Sequence, residues 1–284
     1  MTAATEVPLR RRRAGGERLL MRALTYVGAT LLALFILVPI YLIAVSAFTP
    51  RESAFDFPKS VIPTAVSTDT ILFFLNASGV IDAFWRSVIV ALITLGLSLL
   101  IGAPAGYAIA RYGFRGREGY RLVVLSTRAF PIVILAIPLA VTYRLWGIDD
   151  TVLGVALMHT ALALPFTVLI TSSVFVSVPR DLEEAAQTLG CSPLQAFIRV
   201  SLPLALPGLA AAAIFTWVLS WNDVFAAVIL TLRNPTLPAK ILTALTQSPI
   251  YYQFAAGFVM LIPSVVVIFF IRRYLLGLWG RVVK

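Results

Sequence analysis

The chain is short of charge, cysteine and histidine, and each shortage removes a class of function. Charged residues make up 13% of the 284, whereas a soluble domain carries about 25%. So few charges cannot clothe a water-facing surface of this size, and lipid must act as part of the solvent. A single cysteine, Cys191, excludes an internal disulfide. One histidine, His159, falls far below the roughly four Cys or His ligands of a structural zinc site. No G-x-x-x-x-G-K-[ST] run occurs, so the chain carries no phosphate loop for nucleotide chemistry. A membrane-embedded enzyme would need convergent acids, bases or metal ligands inside apolar sequence, and these are too few. No residue is assigned a catalytic or metal-binding role.

Apolar sequence is abundant, at 60% of residues. A helix needs about 20 mostly apolar residues to cross a bilayer. Six stretches qualify: Ala23–Pro50, Ser87–Ala110, Leu122–Tyr143, Thr151–Pro179, a fifth beginning near Leu202 and running past Trp221, and Ile241–Ile271. The third contains Arg128 and the fifth contains Asp223. The expected fold class is therefore all-α integral membrane with six transmembrane helices, a basic tail over residues 1–22 and one membrane domain over 23–284. The first run follows basic residues as a signal peptide does, but it is nearly twice the usual apolar length of about 7–15 residues. It reads as a retained anchor.

The net charge of +10 is not a nucleic-acid footprint, because the basic residues sit in short clusters between apolar runs. Their distribution sets an orientation instead. With the N-terminus inside, the internal segments hold 16 of the 23 Lys and Arg, and the external segments hold six. That bias fits the positive-inside rule and places both termini in the cytoplasm. The segments Thr49–Trp85 and Arg233–Ile250, rich in Pro and polar residues, then lie outside and pack across the outer face.

One polar stretch, residues 179–203, lies on an internal loop and reads as two short helices joined by a turn. Asp181 is placed to cap the first helix, with Glu184 completing a capping box. Gly190 sits where a helix end favours a left-handed residue. Ser192, Pro193 and Gln195 form the cap, first position and return bond of the second helix. Pro203 marks a change of direction into the fifth span. Leu182, Ala185, Ala186 and Leu189 share one face, which suits either a docking partner or the chain's own helices.

The spacing Glu184-Ala185-Ala186, then Gly190, Val200 and Leu202-Pro203 resembles the EAA loop of binding-protein-dependent ABC importer permeases. Val200 stands where the family has Ile. Trp221-Asn222-Asp223 is similar to the Trp-Asn-Asp of the carbohydrate subfamily, as are Tyr107-Ala-Ile-Ala-Arg111 and the tail Gly277–Lys284. One feature differs: carbohydrate permeases carry Asp-Gly-Ala where this chain has Leu189-Gly190-Cys191, and Thr-Leu-Gly resembles polyamine and oxyanion permeases.

The resemblance implies a type I ABC importer permease fold, similar to the smaller membrane subunit of the maltose transporter, with a coupling hairpin. It implies residence in the bacterial inner membrane beside lipid, a second permease subunit, two ATPase subunits that hold the ATP and magnesium, and an extracytoplasmic solute-binding protein. Coupling to the ATPase would fall to Glu184, Ala185, Ala186, Gly190, Leu202 and Pro203. Trp221, Asn222, Asp223 and His159 are candidates for the solute path, with an interhelical hydrogen-bond cluster facing the partner permease as the alternative for Asp223 and a structural hydrogen bond for His159. Arg128 is expected to snorkel toward the cytoplasmic surface. The solute is a sugar or, alternatively, a polyamine or oxyanion; a secondary transporter would work without an ATPase.

Overall fold

The computed structural model describes residues 15–56, 61–63, 65–245 and 248–282. Most of the expected basic tail, and the side chains of the Gly277–Lys284 ending, lie outside the described residues. The helices in chain order are α1 (Gly15–Ala47), α2 (Asp69–Asn76), α3 (Val80–Arg111), α4 (Arg117–Ser126), α5 (Ile132–Leu145) and α6 (Val152–Ser177). They continue with α7 (Arg180–Thr188), α8 (Pro193–Ala196), α9 (Leu202–Trp221), α10 (Phe225–Leu230), α11 (Leu237–Leu245) and α12 (Ile250–Val282). Five helical stretches are long and apolar enough to cross a membrane, and α4 with α5 supplies a sixth as a bent pair.

The core lies where α3, α6, α9 and α12 pack. Small residues bring the first two together: a side chain at Gly102 or Gly106 would collide with Thr167 or Thr171 of α6. With no Cβ in the way, Thr171 Oγ1 reaches the Gly102 carbonyl at 2.8 Å, and Thr167 meets Thr216 of α9 at 3.1 Å. Close approach and hydrogen bonding hold these helices together where lipid offers no hydrophobic drive. By contrast α1 is exposed along nearly all of its length, and it meets α12 only toward its C-terminal end.

Three spans depart from the sequence-based expectation. The third is not one helix: α4, extended by a 3-10 turn over Thr127–Ala129, meets α5 at 87°. Pro131 explains the break, since it disfavours helical geometry at Phe130, which is extended at φ −78° and ψ 123°. The fifth span starts earlier and stops sooner than expected. Helix runs from Pro193 through a π-helical turn at Phe197–Ser201 into α9, and ends at Trp221. Pro203 therefore marks no change of direction. It follows the π-helical turn directly, within one continuous helical stretch from Pro193 to Trp221. The sixth span begins at Ile250, because residues 241–245 belong to the separate helix α11.

At one end of the bundle Asp150, with φ of 55°, accepts from the backbone amides of Leu232, Arg233 and Asn234 at 3.0–3.1 Å. This ties the α5–α6 turn to the α10–α11 turn. At the same end α2 packs on α12, with the Phe74 ring edge-on to Tyr252 at 5.0 Å.

Candidate functional site

The hairpin over residues 179–203 is built as the sequence suggests at its turn, but not at its start. Gly190 has φ of +95°. Cys191 N donates to Ala186 O, and Gly190 N to Gln187 O, both at 3.0 Å, which closes α7 in a Schellman motif. The next helix opens on a capping box: Gln195 N donates to Ser192 Oγ at 3.3 Å, and Ser192 N to Gln195 Oε1 at 2.9 Å. At the front of α7 the cap position falls on Pro179, with no side-chain bond to the first turn. Asp181 already lies inside the helix, so the expected Asp181–Glu184 capping box does not form. Glu184 is exposed and pairs with Arg180 at 3.1 Å.

Its neighbour Glu183 carries the structural role instead. Glu183 is 4% exposed. Arg111 Nε donates to its Oε1 at 2.7 Å, and Tyr107 Oη to its Oε2 at 2.9 Å. Arg111 also donates to the Val178 carbonyl at 2.9 Å. The last turn of α3 thus grips both the entry to α7 and its inward face. Burial alone would raise the Glu183 carboxyl, but Ser201, Arg111 and Tyr107 outweigh it and hold the group below the ordinary carboxylate value. Ser201 acts here by proximity, its hydroxyl lying outside strict hydrogen-bond geometry. Tyr107 and Arg111 were visible in sequence only as part of a Tyr-x-x-x-Arg motif; helical spacing puts both on one face.

With Glu183 turned inward, the opposite side of α7 faces out. Leu182 and Ala185 are exposed, Leu189 is 87% exposed, and Ala186 is half-buried. On the second arm Leu194 and Ile198 are exposed as well. Fully burying one leucine is worth about 1.5–3 kcal/mol, so the face has much to gain from a partner. Leu202 is half-buried against the core cluster that includes Tyr107, Phe175 and Phe197, and Pro203 is exposed.

The second candidate region lies at the end of α9. Trp221 is fully buried, its indole parallel to Trp217 at 5.8 Å and donating to the Met260 carbonyl at 3.0 Å. It packs in a core cluster with Trp217, Leu237 and Tyr252 and presents no exposed surface. Asn222 is exposed, and its amide donates to Val218 O at 3.0 Å. His159 is 1% exposed, with Nδ1 facing Ser220 Oγ at 2.8 Å and Nε2 facing Asp223 Oδ2 at 3.1 Å. Asp223 Oδ2 also accepts from Ala226 N and Ala227 N, capping α10. His159 and one oxygen of Asp223 thus share a hydrogen-bonded cluster between α6 and the end of α9. Arg128 Nη1 donates to Leu162 O at 2.9 Å, and its guanidinium lies 4.4 Å from the centre of the Phe166 ring. Among the described residues no group of three or more His, Cys, Asp or Glu could hold a metal ion.

Residues 98–276 match the family described as binding-protein-dependent transport system inner membrane component. The chain is 33% identical over 262 residues to the trehalose transport system permease protein SugB of Mycobacterium tuberculosis, covering 90% of this chain and 95% of that one. It is 35% identical over 200 residues to the diacetylchitobiose uptake system permease protein NgcG of Streptomyces coelicolor, covering 68% and 66%. Its fold is similar to a chain of a bacterial ABC transporter involved in the import of the acidic polysaccharide alginate, with a TM-score of 0.70 at 20% identity over 93% of this chain and 99% of that one. The grip of α3 on the hairpin lies within the matched region, and the chain belongs to the family of binding-protein-dependent transport system inner membrane components, multi-pass permease proteins of ABC importers.

Proposed function

We propose that this chain forms half of the translocation path for a sugar or sugar-like solute, and couples to an ATPase through the hairpin over residues 179–203. The observation that carries the coupling role is the two-sidedness of α7. Its Glu183 face is locked to α3, while Leu182, Ala185 and Leu189 stand exposed on the other. A push on the exposed face passes to α3 through a buried ion pair and not through a flexible linker. Two ATPase subunits supply ATP and magnesium, a second permease completes the path, and an extracytoplasmic binding protein delivers the solute. ATP binding closes the ATPase pair, moves the hairpins as rigid bodies and shifts the cavity between inward and outward states. The bias of Lys and Arg supports cytoplasmic termini and a cytoplasmic hairpin.

Sugar is favoured as the solute class because the similar permeases named above serve trehalose and diacetylchitobiose uptake. The test is purification of the complex from the native membrane, followed by reconstitution with its binding protein. ATPase subunits should co-purify, and uptake of a sugar should require ATP inside the coupling compartment. Uptake in the absence of any ATPase would make the chain a secondary transporter and contradict the proposal.

A further inference from the structure

Arg128 and Asp223 line one cavity of about 330 Å³ between the broken third span, α6 and α9. Phe130, Leu162 and Leu219 form its apolar walls. Each charged group is held from one side only. Arg128 spends one of its five N–H groups on Leu162 O and rests on Phe166. Asp223 spends Oδ2 on His159 and α10, while Oδ1 has no hydrogen-bond partner among the described residues. The two side chains do not pair with each other. Charges within a membrane segment are costly and face polar company, so donors and an acceptor left open toward one cavity call for a polar occupant.

We propose that this cavity is a sugar subsite of the chain itself, taking one neutral ring whose hydroxyls accept from Arg128 and donate to Asp223 Oδ1. A hydroxyl both donates and accepts, so neighbouring hydroxyls on one ring satisfy both side chains at once. An acidic sugar gains Arg128 but meets Asp223, and a polyamine meets the reverse; the opposed charges select against either. The volume is at the small end of ligand pockets, about 300–1,000 Å³, which fits a ring and not an extended chain. Phe130 and the two leucines offer the apolar surface against which a ring's C–H face packs. This subsite rests on the sugar-importer reading above.

The test uses the complete transporter in proteoliposomes with its binding protein, offered trehalose, diacetylchitobiose and a diuronate of similar size. Wild type is expected to move at least one neutral sugar and to exclude the diuronate. Arg128→Gln and Asp223→Asn should each lower sugar moved per ATP hydrolysed at least fivefold. Arg121→Gln, whose partner Glu118 lies on the surface, should leave that ratio unchanged. A wild-type ratio in both cavity variants overturns the subsite, whether or not their overall rates fall, because a merely structural defect lowers uptake and hydrolysis together. ATP-driven uptake of the diuronate by wild type overturns the neutral assignment. Failure to move any of the three overturns the sugar reading itself.

Discussion

Arg111 and Glu183 lie 72 positions apart and meet at 2.7 Å, both nearly out of water, at the junction of α3 and the hairpin. Removing one partner of a buried ion pair leaves the other charge uncompensated, at a cost of about 3–5 kcal/mol. Arg111→Ala and Glu183→Ala should therefore leave the apolar spans inserted but disorder the seating of α7, with uptake down at least tenfold. The double variant Arg111→Met with Glu183→Leu should recover part of that loss, since no orphaned charge remains. Uptake and binding-protein-stimulated ATP hydrolysis across this cycle check the expectation; independent, additive losses would refute the coupling of the two.

The same contact sets a pH response. The folded-state carboxyl of Glu183 is depressed, so its contribution is full above the ordinary Glu value, about 4.3, and is lost as pH falls through the lower folded value. Hydrogen exchange over residues 180–196, corrected for intrinsic rates, should hold steady from neutral pH down to the ordinary value and rise below it. Glu183→Gln should flatten the response across that window.

Gly190 has open space around its α-carbon, so only backbone conformation resists a side chain there. Val at φ of +95° is a steric outlier, and strain of about 1–3 kcal/mol is expected. Gly190→Val should reach the membrane in normal amounts, yet lose uptake and ATPase co-purification. Retained uptake would show that the Schellman turn is not needed for docking.

The local signals of the hairpin were legible because each acts over a few residues: Gly190 supplies positive φ, and Ser192, Pro193 and Gln195 complete a cap among themselves. The choice between Glu183 and Glu184 was not legible. Successive residues point about 100° apart on a helix, and which carboxylate turns inward is decided by Arg111 on a distant segment. The break in the third span shows the same limit. Pro131 interrupts a helix, while Pro39, Pro104, Pro165 and Pro263 all sit inside continuous ones, because neighbouring groups in a membrane bundle can re-satisfy the opened turn. Trp221 matched a motif, but motif identity does not say whether a side chain faces a path or the core. Only the packing of α9 on α12 put it in the core.

Orientation has a simple check. Cys191 is the sole cysteine and lies in the hairpin turn. An impermeant maleimide should not label it in spheroplasts and should label it in inverted vesicles stripped of ATPase. Labelling from the outer side would contradict the cytoplasmic placement of both termini.

The coupling role requires that the exposed face of the hairpin seat in an ATPase. A photo-crosslinker attached to Cys191 in stripped inverted vesicles, followed by re-addition of the purified ATPase subunits, tests it most directly. A single crosslinked product between this chain and an ATPase subunit is expected, lost when Leu182 and Leu189 are both changed to Asp, with the crosslinking yield altered by ATP. Crosslinking only to the chain itself or to lipid, in vesicles that bind ATPase normally, would contradict it.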